Sequence, residues 1–227
     1  MYRSKFIRLL CIAPLVSSCA SYSPGPAENT GVIVGSVAGA VAGHQMDDEK
    51  GALVGAAIGA IAGAMVGSYM DEQQLAIEKA LQDDQNAKQI ELKRLEDETL
   101  KLIVSNEVTF EFDSAEIKPT IEPSLEKLAR LLVKYNQTIV HIIGHSDNIG
   151  SSEYNSQLSI RRANSIADYF VAQGVSSSRL RLEGRGETDP RAQNDTEEGR
   201  RLNRRVAIYV KPVIQGKDAM AYESPRY

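Results

Sequence analysis

Hydrophobic and polar positions fall into four regimes along the chain. Residues 9–16 form a short, mostly apolar run behind three basic side chains. Residues 31–67 mix Val, Ile and Ala with glycine at a four-residue period, and residues 71–97 are dominated by Gln, Glu, Lys and Asp. From residue 99 the periods of a folded domain appear. Residues 100–104 and 108–112 read as strands, the second by strict alternation, and 138–143 as a nearly continuous apolar strand of a sheet interior. Residues 179–182 and 203–210 supply further strands, with a polar loop over 184–200 between them. Pro119 opens a helix reaching about residue 135, with Ile121, Leu125, Leu128, Leu131 and Leu132 on one face. A second helix runs over 152–173, and Gly174 ends it. Strands alternating with helices predict an α/β layer, helices packed on a mixed β-sheet.

The glycines at 31, 35, 39 and 43, and again at 51, 55, 59, 63 and 67, are the least random feature of the N-terminal half. Glycine lowers helix stability in water by about 1 kcal/mol relative to alanine. Positions i and i+4 share a helix face, so each series makes a groove that a second helix can approach closely. The pattern resembles the glycine-zipper hairpin of bacterial envelope proteins, which implies a helical hairpin over residues 31–70. The first series reaches only about 20 Å as a helix, short of the roughly 30 Å hydrocarbon core. Residues 51–70 are about long enough. Packed spans in a thinned bilayer, a hairpin dipping into one leaflet, and a self-association device all fit. Residues 71–98, with a thin stripe of Leu75, Ala80, Leu81, Ala87 and Leu95, read as a solvated helical spacer of about 40 Å.

Composition narrows the surroundings. Arg3, Lys5 and Arg8 ahead of the apolar run make residues 1–18 a secretion signal, too short for a membrane span. Val16-Ser17-Ser18-Cys19 resembles the bacterial lipobox, which implies lipidation of Cys19 as the first mature residue. Ala20, rather than aspartate, favours the outer membrane under the rule of that family. With Cys11 removed, Cys19 is the sole remaining cysteine, so no internal disulfide forms. The net charge is −4 with no basic block, which argues against a nucleic-acid partner. The remaining boundaries are a linker over 19–30, the folded domain over 99–213, and a flexible tail over 214–227.

The chemistry concentrates in Gly144-His145-Ser146-Asp147-Asn148-Ile149-Gly150 and the helix after it. Asp147 ends an apolar run, and Arg162 lies fifteen residues later on the helix. An acid and a base held apart would clamp a zwitterion. Projected at 100° per residue, Ile160, Ala163, Ile166, Ala167 and Phe170 face the core, and Arg161 faces water. Asn155, Leu158, Ser159 and Arg162 lie on the flank, with Arg162 leaning back toward the loop of Asp147. Spacing alone equally allows Asp147 and Arg162 to neutralise each other, or Asp147 to cap the helix.

Residues 144–163, with Gly184-Arg185-Gly186-Glu187 and Asn203-Arg204-Arg205-Val206, resemble the OmpA-like peptidoglycan-binding domain over about residues 99–210. The resemblance implies that Asp147 binds the ammonium of diaminopimelate in the peptidoglycan stem peptide and that Arg162 binds its carboxylate. It makes Asn155 a supporting polar contact and Leu158 the adjoining packing position. Ser146 and Ile149 stand where that family usually has threonines, and at Ile149 a hydroxyl beside the ligand is gone. The lipobox, glycine ladder and this domain together resemble a class of outer-membrane lipoproteins.

His141 and His145 share one side of a strand without a convergent acid pair or cysteine, so hydrogen-bonded sheet histidines are expected rather than a metal site. No nucleophile–base pair or G-x-S-x-G elbow occurs. The expectation is therefore a non-enzymatic tether without cofactor, joining membrane to peptidoglycan, with a homo-oligomer built on the glycine ladder as a further option. The alternative is a glycine-zipper oligomer that forms a pore or remodels the membrane.

Overall fold

The computed structural model describes residues 59–111 and 113–226. The signal, Cys19, the linker and the glycine ladder up to residue 58 lie outside the described residues. In chain order the elements are α1 (Val66–Ala80), α2 (Gln82–Asn86), β1 (Ile90–Arg94), β2 (Leu100–Ser105), α3 (Asn106–Thr109) and α4 (Glu122–Lys134). There follow β3 (Thr138–His145), α5 (Ser152–Ala172), β4 (Leu180–Gly186), α6 (Glu197–Asn203), β5 (Arg205–Pro212) and α7 (Asp218–Tyr222). The sheet order is β1-β2-β5-β3-β4, parallel only between β3 and β4. It is the mixed sheet with packed helices that the periodicity predicts.

One face of the sheet carries Leu100, Leu102, Val104, Val140, Ile142, Val206, Ile208 and Val210, all fully buried. Leu125, Leu128 and Leu132 of α4 and Ala163, Ile166 and Phe170 of α5 pack against it in one cluster. The other face is covered too, which is why every residue of β3 and β5 is buried. Two glycines set how closely α5 lies on the sheet. A Cβ at Gly144 would collide with the Ser159 carbonyl, and one at Gly184 would stand 2.6 Å from Ile160 N. Only residues without a Cβ allow this approach.

Four expectations need correction. Residues 71–98 are not a solvated spacer. Helix α1 buries Met70, Gln73 and Ile77, Leu81 directly after it is buried as well, and the helix is pinned to the end of α4 by the Tyr69–Tyr135 edge contact at 5.7 Å. The Tyr135 hydroxyl donates to Glu72 Oε1 at 2.8 Å, and Tyr69 Oη accepts from Gln137 N at 3.1 Å. The chain then reverses at Lys88 (φ 57) and enters β1, which pairs with β2 as a hairpin. Nor are residues 59–70, the end of the expected glycine-zipper hairpin, helical throughout. Ile61 N donates to Val213 O at 2.7 Å, Ile61 bridges Ile214, and α1 begins only at Val66. Among the described residues no helix is long and apolar enough to cross a membrane.

The alternating segment near residue 108 is also not a strand. Ser105 Oγ accepts from Glu107 N and starts the short helix α3, after which Phe110 makes one bridge to Ile117. Finally, the tail is ordered against the sheet. Ala221 is buried, its carbonyl lies 2.8 Å from His141 Nε2, and Lys211 Nζ donates to Glu223 O at 3.1 Å.

Candidate functional site

Strand β3 ends at His145, and the loop that follows carries Asp147 to the rim of a pocket of about 530 Å³. Asp147, Asn155, Leu158 and Arg162 all line this pocket, so the structure brings the four predicted residues together. Each is more than nine-tenths buried.

The two alternatives left open by spacing are resolved by partners. The cap of α5 is Ser151, whose hydroxyl accepts from Tyr154 N at 3.2 Å, so Asp147 does not cap the helix. Asp147 Oδ1 accepts from Ile149 N at 3.0 Å, and Oδ2 accepts from Arg204 Nη1 at 2.8 Å. Asp147 and Arg162 therefore do not pair with each other. Asn155 Nδ2 donates to the Asp147 carbonyl at 3.2 Å and to Glu187 Oε2 at 2.7 Å. Its role is to hold the loop that presents the carboxylate.

Arg162 is the unusual group. Its Nε donates to the Ser114 carbonyl at 2.9 Å, and its guanidinium lies 5.3 Å from the centre of the Phe110 ring. No carboxylate of the described residues lies within ion-pair distance, and neither terminal nitrogen donates to another described residue. Burial pushes its pKa below the usual arginine value, offset in part by Asp113, Tyr154 and Asp147. A buried guanidinium that is positioned at one edge and open at the other has the chemistry to receive an anion, because an unpaired buried charge is costly.

Arg204 is the pocket residue that sequence reasoning missed, although it stands in a motif singled out there. Nη2 donates to Glu107 Oε1 at 2.9 Å and to Glu197 Oε1 at 2.8 Å, while Nη1 holds Asp147. Burial opposes its charge, but the bonds to Asp147, Glu107 and Glu197 outweigh it and raise its pKa. One guanidinium thus ties α3, the Asp147 loop and α6 around the pocket. Its neighbour Arg205 turns to the opposite side, donating to Asp189 O at 3.0 Å. The readable signal was alternation: adjacent arginines entering a strand point to opposite faces.

The histidines divide. His141 has the expected hydrogen bond, to the Ala221 carbonyl. The His145 ring is fully buried, with Asp189 Oδ2 at 3.9 Å and no hydrogen bond to either nitrogen among the described residues. Burial, then the nearby Arg205 charge, push its pKa down to about 3, so the ring is neutral near pH 7. Only its carbonyl reaches toward the site, accepting from Asn106 Nδ2 at 3.3 Å. Among the described residues no group of three or more side chains has the arrangement to hold a metal ion.

Comparison with known proteins finds relatives over most of the chain. The OmpA family matches residues 109–204, and the YMGG-like Gly-zipper family matches residues 1–71. The chain is 40% identical over 183 residues to the probable lipoprotein YiaD of Escherichia coli (strain K12), covering 81% of each. It is 38% identical over 116 residues to the outer-membrane lipoprotein YfiB of Pseudomonas aeruginosa, covering 51% of this chain and 69% of that one. Among solved structures, the cell wall anchor of the T6SS from Pseudomonas aeruginosa superposes with a TM-score of 0.54 at 33% identity. That match covers 60% of this chain and 96% of the anchor.

Proposed function

The chain belongs to the OmpA family, and from that premise we propose that it is a non-catalytic tether between the outer membrane and peptidoglycan. Arg162 carries the reading: it is a buried cation with its open edge in the pocket that Asp147 also lines. The free end of a diaminopimelate side chain bears a carboxylate and an ammonium on one carbon. The carboxylate takes the guanidinium fork of Arg162, which is planar and suited to two parallel bonds. The ammonium goes to Asp147. Each carboxylate oxygen has a second lone pair, so Asp147 accepts the ligand while keeping Ile149 N and Arg204. Leu158 lies between them as the surface for the methylene chain.

The rest of the tether is inferred from the sequence and from what the relatives are called. Two of them are named lipoproteins and one structure is named a cell wall anchor. Lipid on Cys19 holds the outer membrane, the glycine ladder adds membrane contact or self-association, and the domain from Ile61 onward faces the periplasm. Co-sedimentation of the mature chain with purified peptidoglycan tests the site. Asp147→Ala and Arg162→Ala each leave the protein in the supernatant, and undiminished pull-down of both variants refutes the assignment.

A further inference from the structure

Two large apolar side chains stand in solvent at the mouth of this charged pocket. Ile149 is 65% exposed and Tyr154 is 38% exposed, and both line it. Neither position is loose. The Ile149 N–H is bound to Asp147 Oδ1, and Gly150 turns the chain directly after it with φ +102, a conformation that favours glycine. Tyr154 is tied across the pocket by its hydroxyl, which donates to Asp113 Oδ1. Tyr154, Leu158 and Arg162 follow one another at four-residue spacing, so they form one stripe of α5 about 12 Å long. The stripe is charged at the Arg162 end and apolar toward Tyr154.

Resting on the clamp reading, this layout says what lies beyond the zwitterion. With the charged end of diaminopimelate held by Asp147 and Arg162, its methylene arm leads out over Leu158 to the backbone of the stem peptide. We propose that Ile149 and Tyr154 form an apolar lip that recognises the residue next to diaminopimelate, the alanine joined to its backbone carboxyl group. Ile149 takes the alanyl methyl and Tyr154 lines the path of the arm. A sugar ring is a poor occupant of this lip, because its hydroxyls need partners and the Ile149 side chain has neither donor nor acceptor. A methyl group needs only to leave water.

Burying roughly 50 Å² of apolar surface between Ile149 and that methyl corresponds to about a five- to tenfold gain in affinity. The experiment is calorimetric titration of the mature chain with two synthetic peptides. One is L-Ala-γ-D-Glu-meso-diaminopimelate, and the other carries D-Ala after the diaminopimelate. Wild type binds the longer peptide about five to ten times more tightly, and Ile149→Ser brings the ratio close to one. Ile149 is exposed, so the variant folds. Equal affinities in wild type, or a ratio that survives Ile149→Ser, overturns the lip alone. Failure of wild type to bind either peptide overturns the clamp with it.

Discussion

Ile77→Ala distinguishes a docked α1 from a solvated one. The Ile77 side chain is fully buried among the helices and the sheet, whereas Leu75, two residues before it on the same helix, is 65% exposed. Truncating Ile77 removes three carbons, about 2.4 kcal/mol of transfer free energy at roughly 0.8 kcal/mol per methylene. A residual cavity of about 60 Å³ adds roughly 1.5 kcal/mol at 24 cal/mol per Å³. The expected loss is about 4 kcal/mol, while Leu75→Ala changes stability by about 0.5 kcal/mol or less. Urea unfolding of the mature chain, followed by far-ultraviolet circular dichroism, measures both. With a slope of about 2 kcal/mol/M, the Ile77→Ala midpoint falls by about 2 M. Equal and small effects at positions 75 and 77 would refute the packing of α1 as part of the domain.

Further outcomes follow from close contacts and buried groups. Gly184→Ala pushes α5 off β4, since its Cβ meets Ile160 and Ser159 at 2.6–2.7 Å. It lowers stability by about 2 kcal/mol in urea melts and weakens peptidoglycan co-sedimentation, because α5 carries Arg162. Gly67→Ala has open space around it and stabilises α1 by about 0.5–1 kcal/mol in the same melts. Burial holds the His145 pKa at about 3 in the fold, well below the ordinary histidine value of 6.5, so the unfolded chain binds its proton first. The stability linked to this ring is complete above about pH 6.5 and falls by roughly 1.4 kcal/mol per pH unit as the pH drops toward 3. His145→Gln flattens that part of the stability profile measured between pH 7 and 4.

The elements that sequence periodicity made legible are those with several buried apolar positions at the period of the element. Helix α4 shows Leu125, Leu128 and Leu132, and β3 shows Ile139, Val140, Ile142 and Ile143, all buried. Helix α1 hid because Gln73 sits in the middle of its stripe, fully buried between Met70 and Ile77, with neither amide atom hydrogen-bonded among the described residues. A polar residue there makes an inward face look solvated, and the thin stripe then drifts to exposed Leu75. Around Phe110, alternation was real but belonged to a short capped helix and a single bridge, which local pattern does not separate from a strand. In the site, a helix projection set Arg162 apart from Arg161, and the resemblance to the OmpA-like domain paired it with Asp147. Arg204 was not legible, because its role arises only when β5 lies beside β3 and brings residue 204 against the Asp147 loop. Ser114 and Phe110, which seat Arg162, are likewise neighbours through the fold alone.

The central claim is that two oppositely charged, separately held groups grip one zwitterion. Calorimetric titration of the mature chain with L-Ala-γ-D-Glu-meso-diaminopimelate, set against L-Ala-γ-D-Glu-L-Lys, in which the α-amine is acylated, tests it most directly. Lysine keeps the methylene chain and the side-chain ammonium but lacks the carboxylate at that end. Losing a bidentate, charge-assisted pair costs about 2–3 kcal/mol, so the lysine peptide binds roughly 30- to 150-fold more weakly. Arg162→Lys, which keeps the charge and loses the fork, narrows that difference to a few-fold. Equal affinity of wild type for the two ligands, or full discrimination retained by Arg162→Lys, would contradict the clamp.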